Sequence, residues 1–138
     1  STLSSSSAAS DVYKRQVQGI PVCFDAKECV AETFPLQNIH EHQVEFMKNF
    51  EKQQGVAFVL IYYSSRNILY YMRFEELYRF WMRAQNGGRK SFRFDELDER
   101  FFMKFFHGCY VPYLDALNLD LELRDELDKT DETAYNAK

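Results

Sequence analysis

The residues best suited to chemistry in this chain are an aspartate and a lysine two positions apart, Asp25 and Lys27, within the stretch IPVCFDAKEC at 20–29. Side chains two apart on a β-strand project from the same face, so a strand over this stretch places the two together. A carboxylate beside an ammonium can bind a divalent cation and position a water for attack on a phosphodiester. The same pair can form an ordinary ion pair on a half-exposed strand, and its spacing alone leaves both interpretations open.

Hydrophobic patterns predict the elements that position this strand. Apolar residues at spacings of three and four predict a helix that begins between Leu36 and His40 and ends before Gly55. A continuous apolar run at 55–63 predicts a central buried strand, and residues 67–72 predict its hairpin partner. Together with the strand at 20–29, these elements indicate a mixed sheet with helices packed on its faces.

The second half of the chain is predicted to be mainly helical. The i, i+3, i+4, i+7 pattern predicts a helix over 74–84, and a short helical turn is expected from Asp95 onward. Residues 101–110 are aromatic and fit neither pattern clearly. Leucines in 114–127 alternate as in a strand and also recur at helical spacing; we favour the helix because the segment lacks β-branched residues.

Composition is that of one domain with a single core: 138 residues, 46% hydrophobic, with a net charge of −4. The charge is unevenly distributed, because five bases and no acid lie between Arg79 and Arg93, a local field that suits nucleic acid. Three cysteines form neither an even disulfide set nor a zinc pair, which is typical of a reduced, cytoplasmic protein. No apolar run approaches the roughly 18 residues of a membrane-spanning helix.

The two ends of the chain differ from its middle. Residues 1–16 begin as a serine and alanine tract without apolar periodicity, and we expect a disordered leader. The end of this tract, SSAASDVYKRQ, resembles translated adapter read-through, so we expect the leader to be non-native and native sequence to begin near Val17; a genuine flexible leader is the alternative. Residues 128–138 are expected to form a disordered acidic tail.

Five short motifs in register carry a resemblance to a known family. They are FDAKE (24–28), FPLQNIHEHQ (34–43), YRFW (78–81), GRKS (88–91) followed by DEL (95–97), and YVPYLD (110–115). Over about residues 17–127 the chain resembles the RecU-type Holliday junction resolvases. That resemblance implies a restriction-endonuclease-like fold, similar to the PD-(D/E)xK nucleases and incomplete here at its N-terminus. It also implies a homodimer that cuts four-way DNA junctions with Mg²⁺, possible recombination-protein partners and no membrane association.

The resemblance also implies roles for individual residues. Asp25 matches a metal-binding carboxylate that is more often glutamate in the family, and Lys27 matches the lysine that stabilises charge at the scissile phosphate. Gln43 on the following helix is a candidate contributor to catalysis, through a water or a phosphate oxygen. Arg89 and Lys90 are candidate contacts for DNA phosphates.

One departure from the family pattern concerns its first aspartate. Counting back from Asp25, that residue is expected at position 12, where this chain has Val12. Asp11 is one residue away, and a slip of one residue turns a side chain to the opposite face of a sheet. We therefore expect this chain to hold part of a metal site and to be inactive alone. The alternatives are a DNA-structure-binding or recombinase-interacting module that does not cut, and a restriction-like nuclease of the same superfamily.

Overall fold

The computed structural model describes residues 13–17, 19–104 and 113–136, with side chains for 19–104 and 113–128. The strands are β1 (Tyr13–Val17), β2 (Ile20–Cys29), β3 (Thr33–Pro35), β4 (Val56–Tyr63), β5 (Ile68–Arg73), β6 (Ser91–Arg93) and β7 (Phe102–Lys104). The helices are α1 (Glu41–Lys52), α2 (Phe74–Gln85) and α3 (Tyr113–Asn136). Short 3-10 turns occupy 36–38, 94–96 and 99–101.

Five strands form one mixed sheet in the order β1-β2-β4-β5-β7. β2 is antiparallel to β1 and parallel to β4, and α1 lies in the crossover between these parallel strands. β5 is antiparallel to both β4 and β7. β3 and β6 form a separate antiparallel pair. The mixed sheet and its helices confirm the α/β class predicted from the sequence, including the hairpin of β4 and β5.

One face of the sheet carries Lys27 and is covered by α2. Lys27 lies opposite Ile61, which lies opposite Tyr70, so the three side chains share a face. The Tyr70 hydroxyl donates a hydrogen bond of 2.5 Å to Glu76 of α2. Asp25 belongs to the same face because it is two residues from Lys27.

Helix α1 lies beside α2 and therefore on the same side of the sheet. The Lys48 ammonium of α1 is 5.3 Å from the ring centroid of Tyr78 in α2. Buried Val44 and Met47 of α1 belong to the core, as the spacing of apolar residues predicts. Helix α1 thus lies in the crossover between β2 and β4, on the side of the sheet that carries the candidate pair.

The opposite face of the sheet is covered by α3. Phe24, Phe58 and Tyr71 stack across β2, β4 and β5, with centroid separations of 5.2 and 4.2 Å. The Tyr71 hydroxyl donates a hydrogen bond of 2.6 Å to Asp120 of α3, and both residues are buried. Phe24 belongs to this aromatic row, whereas Asp25 lies on the opposite face of the sheet. Strand β2 is therefore packed on both of its faces.

An ionic cluster ties α3 to α1. Arg124 of α3 donates to Glu51 of α1 at 2.7 Å and to Asp120 at 2.8 Å. Glu51 also accepts a hydrogen bond of 2.6 Å from the backbone N–H of Ala57, at the start of β4. The Glu51 carboxylate therefore links α1 both to the guanidinium of α3 and to the start of β4.

The turn after α1 requires a glycine. A Cβ on Gly55 would overlap the ring of Phe50 and lie 3.0 Å from the Phe50 carbonyl oxygen, so a larger residue would require that ring to shift. Gln54 precedes it with φ of 71°, in the left-handed region that ends helices. The helix therefore ends where the sequence predicts.

Several element boundaries differ from those predicted. α1 begins at Glu41, with His40 as its N-cap, because residues 36–38 form a separate 3-10 turn. α3 confirms the helix favoured for 114–127, and its backbone continues to Asn136, beyond the expected start of the acidic tail at 128. β1 begins at Tyr13, inside the segment 1–16 that was expected to be a leader. Residues 1–12 and most of 101–110 lie outside the described residues, so the division of the chain into leader, domain and tail remains a prediction.

Within the described ranges, no helix combines the length and the apolar character needed to cross a lipid bilayer.

The ionic cluster leads to a prediction about stability. Arg124→Met keeps the apolar stem but leaves the Glu51 and Asp120 carboxylates without their shared cation, so we expect the free energy of unfolding to fall by about 2–4 kcal/mol. Arg79→Met is the control, since the Arg79 side chain is 60% exposed and lies 3.8 Å from the buried Glu76 carboxylate; a solvent-exposed cation at this distance contributes less than about 1 kcal/mol. Urea unfolding measures both values, and equal losses for the two variants would contradict the prediction.

Candidate functional site

Asp25 and Lys27 lie side by side on β2, as their spacing predicts. The Lys27 ammonium is 3.3 Å from Oδ2 of Asp25. The Asp25 carboxylate is almost fully buried, whereas 19% of the Lys27 side chain remains exposed. Asp25 lies opposite Val59 in the parallel ladder with β4. A buried carboxylate thus lies beside the apolar strand β4, with a partly exposed ammonium next to it.

Burial makes this pair chemically different from a surface ion pair. Moving a carboxylate out of water is costly unless a cation and hydrogen bonds compensate for its lost hydration. Lys27 supplies one cation at Oδ2. A divalent cation would interact with the same carboxylate more strongly than an ammonium does, and Lys27 could then turn toward an anion at the surface. The geometry therefore suits a carboxylate that pairs either with the Lys27 ammonium or, in its place, with a divalent cation.

The donor set of the described residues suits Mg²⁺ only in part. A single buried carboxylate fits one Mg²⁺ ligand, because this ion keeps several waters and often takes only one or two carboxylates together with substrate phosphates. Among the side chains that the structure describes, no three His, Cys, Asp or Glu residues lie together as a metal-binding group. β1 begins at Tyr13, opposite Phe24, and positions 11 and 12 precede the described part of the chain.

Gln43 has a structural role that the sequence did not predict. Its side-chain oxygen accepts a hydrogen bond of 3.0 Å from the backbone N–H of His40, which fixes the first turn of α1. The side chain is 1% exposed, and its NH₂ group has no acceptor within the described residues. A buried donor without a partner is unfavourable, so this NH₂ would gain from an acceptor such as an ordered water. Gln43 shares the side of the sheet with Asp25 but does not hydrogen-bond to it.

The two basic residues predicted to contact phosphate differ in their surroundings. Arg89 is half-exposed and lies 3.5 Å from the Glu96 carboxylate, which partly neutralises its charge. Lys90 is exposed, and no carboxylate in the described structure pairs with its ammonium. The Lys90 carbonyl accepts a hydrogen bond of 3.0 Å from the N–H of Leu36, which attaches this loop to the 3-10 turn at 36–38.

Glu96 organises the basic loop. Its carboxylate accepts hydrogen bonds from the Arg83 guanidinium at 2.7 Å and from the Arg93 backbone N–H at 2.9 Å. The Arg83 hydrogen bond is the main reason that the pKa of Glu96 is lowered to about 2, with further contributions from the Arg93 N–H and the charges of Arg83 and Arg89. A second Arg83 nitrogen donates to the carbonyl of Ser91 at 2.7 Å. The loop is therefore anchored to α2 and β6 by one acid.

Sequence reasoning did not identify Glu96 or Glu51 as organising residues. Glu96 and Arg83 are thirteen residues apart, and Glu51 and Arg124 are seventy-three apart. Neither separation follows a helical or strand period, so these pairs can be identified only from the tertiary structure. The spacing of four between Asp120 and Arg124 was the one usable signal in these clusters.

Comparison with known proteins identifies similar sequences. The family model described as Recombination protein U matches residues 4–119. A protein of Pediococcus pentosaceus named Holliday junction resolvase RecU is 34% identical over 119 residues, covering 85% of this chain and 59% of that protein. The Bacillus subtilis protein of the same name is 38% identical over 108 residues, covering 78% of this chain and 50% of the relative.

A third similar protein, the Holliday junction resolvase RecU of Listeria innocua, is 37% identical over 118 residues, or 85% of this chain and 54% of that protein. The chain therefore spans about half the length of the curated relatives that it matches. The matched region contains β2, the basic loop and the start of α3.

Glu96 should make part of the stability of this protein pH-dependent. Because its pKa is lowered from 4.5 to about 2 in the folded state, the stability it contributes is complete above pH 4.5 and is lost as the pH falls toward 2. Glu96→Gln should lower the free energy of unfolding by about 1–2 kcal/mol at pH 7, and the difference from the original chain should vanish near pH 2.

Asp95→Asn is the matched control, since it removes an exposed acid of the same turn that holds only the Arg93 side chain. Urea unfolding at several pH values measures the difference for each variant. A Glu96→Gln difference that stays constant from pH 7 to pH 2 would contradict the proposed anchoring role.

Proposed function

The chain belongs to the recombination protein U (RecU) family, and on this basis we propose that it is part of a metal-dependent endonuclease that cleaves four-way DNA junctions. The observation that carries the proposal is the buried Asp25 carboxylate with the Lys27 ammonium 3.3 Å away, on one face of an interior strand. The names of the relatives support the junction as substrate. Since this chain spans about half of their length, the proposal concerns the activity to which this portion contributes.

In this proposal Asp25 holds Mg²⁺, an ion that prefers carboxylate and phosphate oxygens. When bound, the metal supplies a water of lowered pKa and offsets charge on the phosphate. Lys27 stabilises the negative charge that develops on the scissile phosphate, which is the largest single contribution in many enzymes. The free NH₂ of Gln43 donates to a water or a phosphate oxygen beside the pair.

Arg89 and Lys90 are proposed to position the DNA without reading its sequence. Phosphate contacts fix the register of a protein on DNA, and they suit recognition of junction shape. Lys90 contributes a full positive charge, whereas Glu96 offsets part of the charge of Arg89. The basic loop therefore offers one strong and one weaker phosphate contact.

Three finer features belong to the same proposal. A homodimer supplies two sites related by a two-fold axis, which suits two cuts in one four-way junction. Cytoplasmic location is supported by the three cysteines of the sequence, an odd number without zinc-pair spacing, which is typical of a reducing compartment. Recombination proteins are the partners expected of an enzyme that acts on a recombination intermediate.

A second candidate function is DNA-structure binding without cleavage. The observation that favours it is the single carboxylate at the site: among the described residues no three potential ligands come together. Such a module would use Arg89 and Lys90 in the same way and would leave Asp25 and Lys27 as a structural ion pair. Cleavage assays separate the two functions.

The first test adds the carboxylate that the family pattern expects at position 12. We expect Val12→Asp to raise Mg²⁺-dependent cleavage of a labelled four-way junction by about a hundredfold, since a misplaced or missing metal ligand costs a rate factor of that order. Val12→Asn is the control, because it has nearly the same shape and no charge. Asp11→Asn should change nothing. Junction binding by Val12→Asp without any cleavage would support the binding module and contradict the enzyme.

The second test asks whether Lys27 acts in the reaction. In the Val12→Asp background, Lys27→Met keeps the apolar stem and removes the charge, so cleavage should fall by roughly 10²–10³-fold. Junction affinity should be nearly unchanged, because Lys27 is mostly buried and contacts Asp25. Denaturing gels measure cleavage and anisotropy of labelled DNA measures binding; cleavage at the original rate would exclude the assigned role.

A further inference from the structure

A cavity of about 410 Å³, here called the Trp81 pocket, opens between α2 and the loop that leads to β6. Its walls include Leu36, Gln37, Trp81, Ala84, Gln85 and Lys90. The cavity thus combines an indole ring, two amides and an ammonium around a small apolar floor. Its size lies in the range of about 300–1,000 Å³ that is usual for small-ligand sites.

Trp81 differs from the other aromatic residues of α2. Phe74 stacks on Tyr78, with ring centroids 5.5 Å apart, and Phe80 stacks on Phe92 at 4.8 Å. Among the described side chains, Trp81 has no ring or cation stacked on it, although it packs partly against the core. Its remaining surface faces the pocket. An indole ring placed in this way can accept a planar group.

Lys90 differs from the other four bases between Arg79 and Arg93 because, among the described residues, it has no carboxylate partner. Four arginines of this run each lie within 4.0 Å of a carboxylate: Arg79 with Glu76, Arg83 and Arg89 with Glu96, and Arg93 with Asp95. Within the described part of the chain, Lys90 alone of the five has no such partner. The ammonium that lines the pocket is therefore the one whose charge the protein leaves uncompensated.

We propose that the Trp81 pocket binds an unpaired nucleotide of a DNA substrate, with the base against Trp81 and an adjacent phosphate on Lys90. The inference rests on the proposed function, since it assigns a second contact to the same DNA. The amides of Gln37 and Gln85 each offer a donor and an acceptor, which suits the edge of any base. Stacking and charge together bind single strands with little sequence preference.

The pocket lies on the side of the molecule that carries the candidate active site. α2 covers the sheet face of Asp25 and Lys27. The hydrogen bond between the Leu36 N–H and the Lys90 carbonyl joins two of the segments that line the pocket. A strand whose unpaired nucleotide enters the pocket would continue along the same side, so the pocket would help to place a branch point rather than plain duplex.

The test uses the intrinsic fluorescence of Trp81, which is the only tryptophan of the chain. We expect a short oligothymidylate to quench this fluorescence at low salt, because a base stacks on the indole. An abasic oligonucleotide of the same length and charge should bind more weakly and leave the fluorescence nearly unchanged. Equal quenching by both oligonucleotides would overturn base stacking.

Two variants test each half of the contact. Trp81→Leu should weaken oligothymidylate binding by roughly tenfold, with Trp81→Phe restoring most of it and duplex affinity unchanged. Lys90→Gln should reduce the slope of log Kd against log salt by about 0.7, as for one lost single-strand phosphate contact. Lys52→Gln, an exposed lysine at the end of α1, is the charge-matched control.

Anisotropy of labelled DNA separates the possible failures, and thermal unfolding verifies that each variant is folded. DNA binding with unquenched Trp81 and no effect of Trp81→Leu overturns the pocket while leaving the proposed function intact. Absence of binding to any branched, single-stranded or duplex DNA overturns both. Quenching by an anionic aromatic peptide, with none by oligothymidylate, would assign the pocket to a protein ligand and overturn the nucleotide.

Discussion

The burial of the Asp25 carboxylate beside the Lys27 ammonium is the constraint on which the account of this protein depends. A charge in the interior must be compensated, and the Lys27 ammonium from the same strand lies 3.3 Å from this carboxylate. The pair lies on an interior strand, because β2 runs between β1 and β4, and its neighbours on β4 are the apolar residues Val59 and Ile61. A half-buried pair can be rearranged by a divalent cation and a phosphate, whereas a surface pair would be screened by water and salt. The burial of the pair therefore costs free energy and also makes the pair suited to the proposed chemistry.

The rest of the fold holds β2 in this position from two sides. On one side, the aromatic row that includes Phe24 packs against α3, and Arg124 ties that helix to Glu51 of α1. On the other side, α1 and α2 cover the face of Asp25, and Glu96 fixes the basic loop to the end of α2. The loop that offers Lys90 and the strand that offers Asp25 are thus parts of one packed unit. The proposed DNA contacts at the loop and the proposed chemistry at the strand are therefore compatible with a single bound substrate.

Local patterns in the sequence predicted β2, β4, β5 and the three helices, together with the shared face of Asp25 and Lys27, because these depend on apolar runs or on periods of two or 3.6 residues. The three-residue strands β3, β6 and β7 escaped prediction, since so short a strand has no period to detect, and β1 begins within the segment expected to be a leader. Gln43 was predicted as a catalytic contributor, which stays a prediction; sequence reasoning did not foresee that its oxygen accepts the His40 N–H at the start of α1 or that its NH₂ is buried. The difference between Arg89 and Lys90 depends on Glu96, whose position only the tertiary structure sets. The family motifs allowed a more specific prediction of function than composition or the spacing of Asp25 and Lys27 did, because an acid and a lysine two residues apart are common in any sheet.

The central claim, that Asp25 is the carboxylate that binds a divalent cation, can be measured without any reaction. Titration of the ¹⁵N-labelled chain with Mn²⁺ broadens the amide signals nearest to the bound ion. The account predicts selective broadening along residues 24–28 of β2 and its loss in Asp25→Asn, with the spectrum of the remaining fold unchanged. Broadening centred on the exposed acids of α3, such as Glu122 and Asp125, with β2 unaffected and no change in Asp25→Asn, would contradict it.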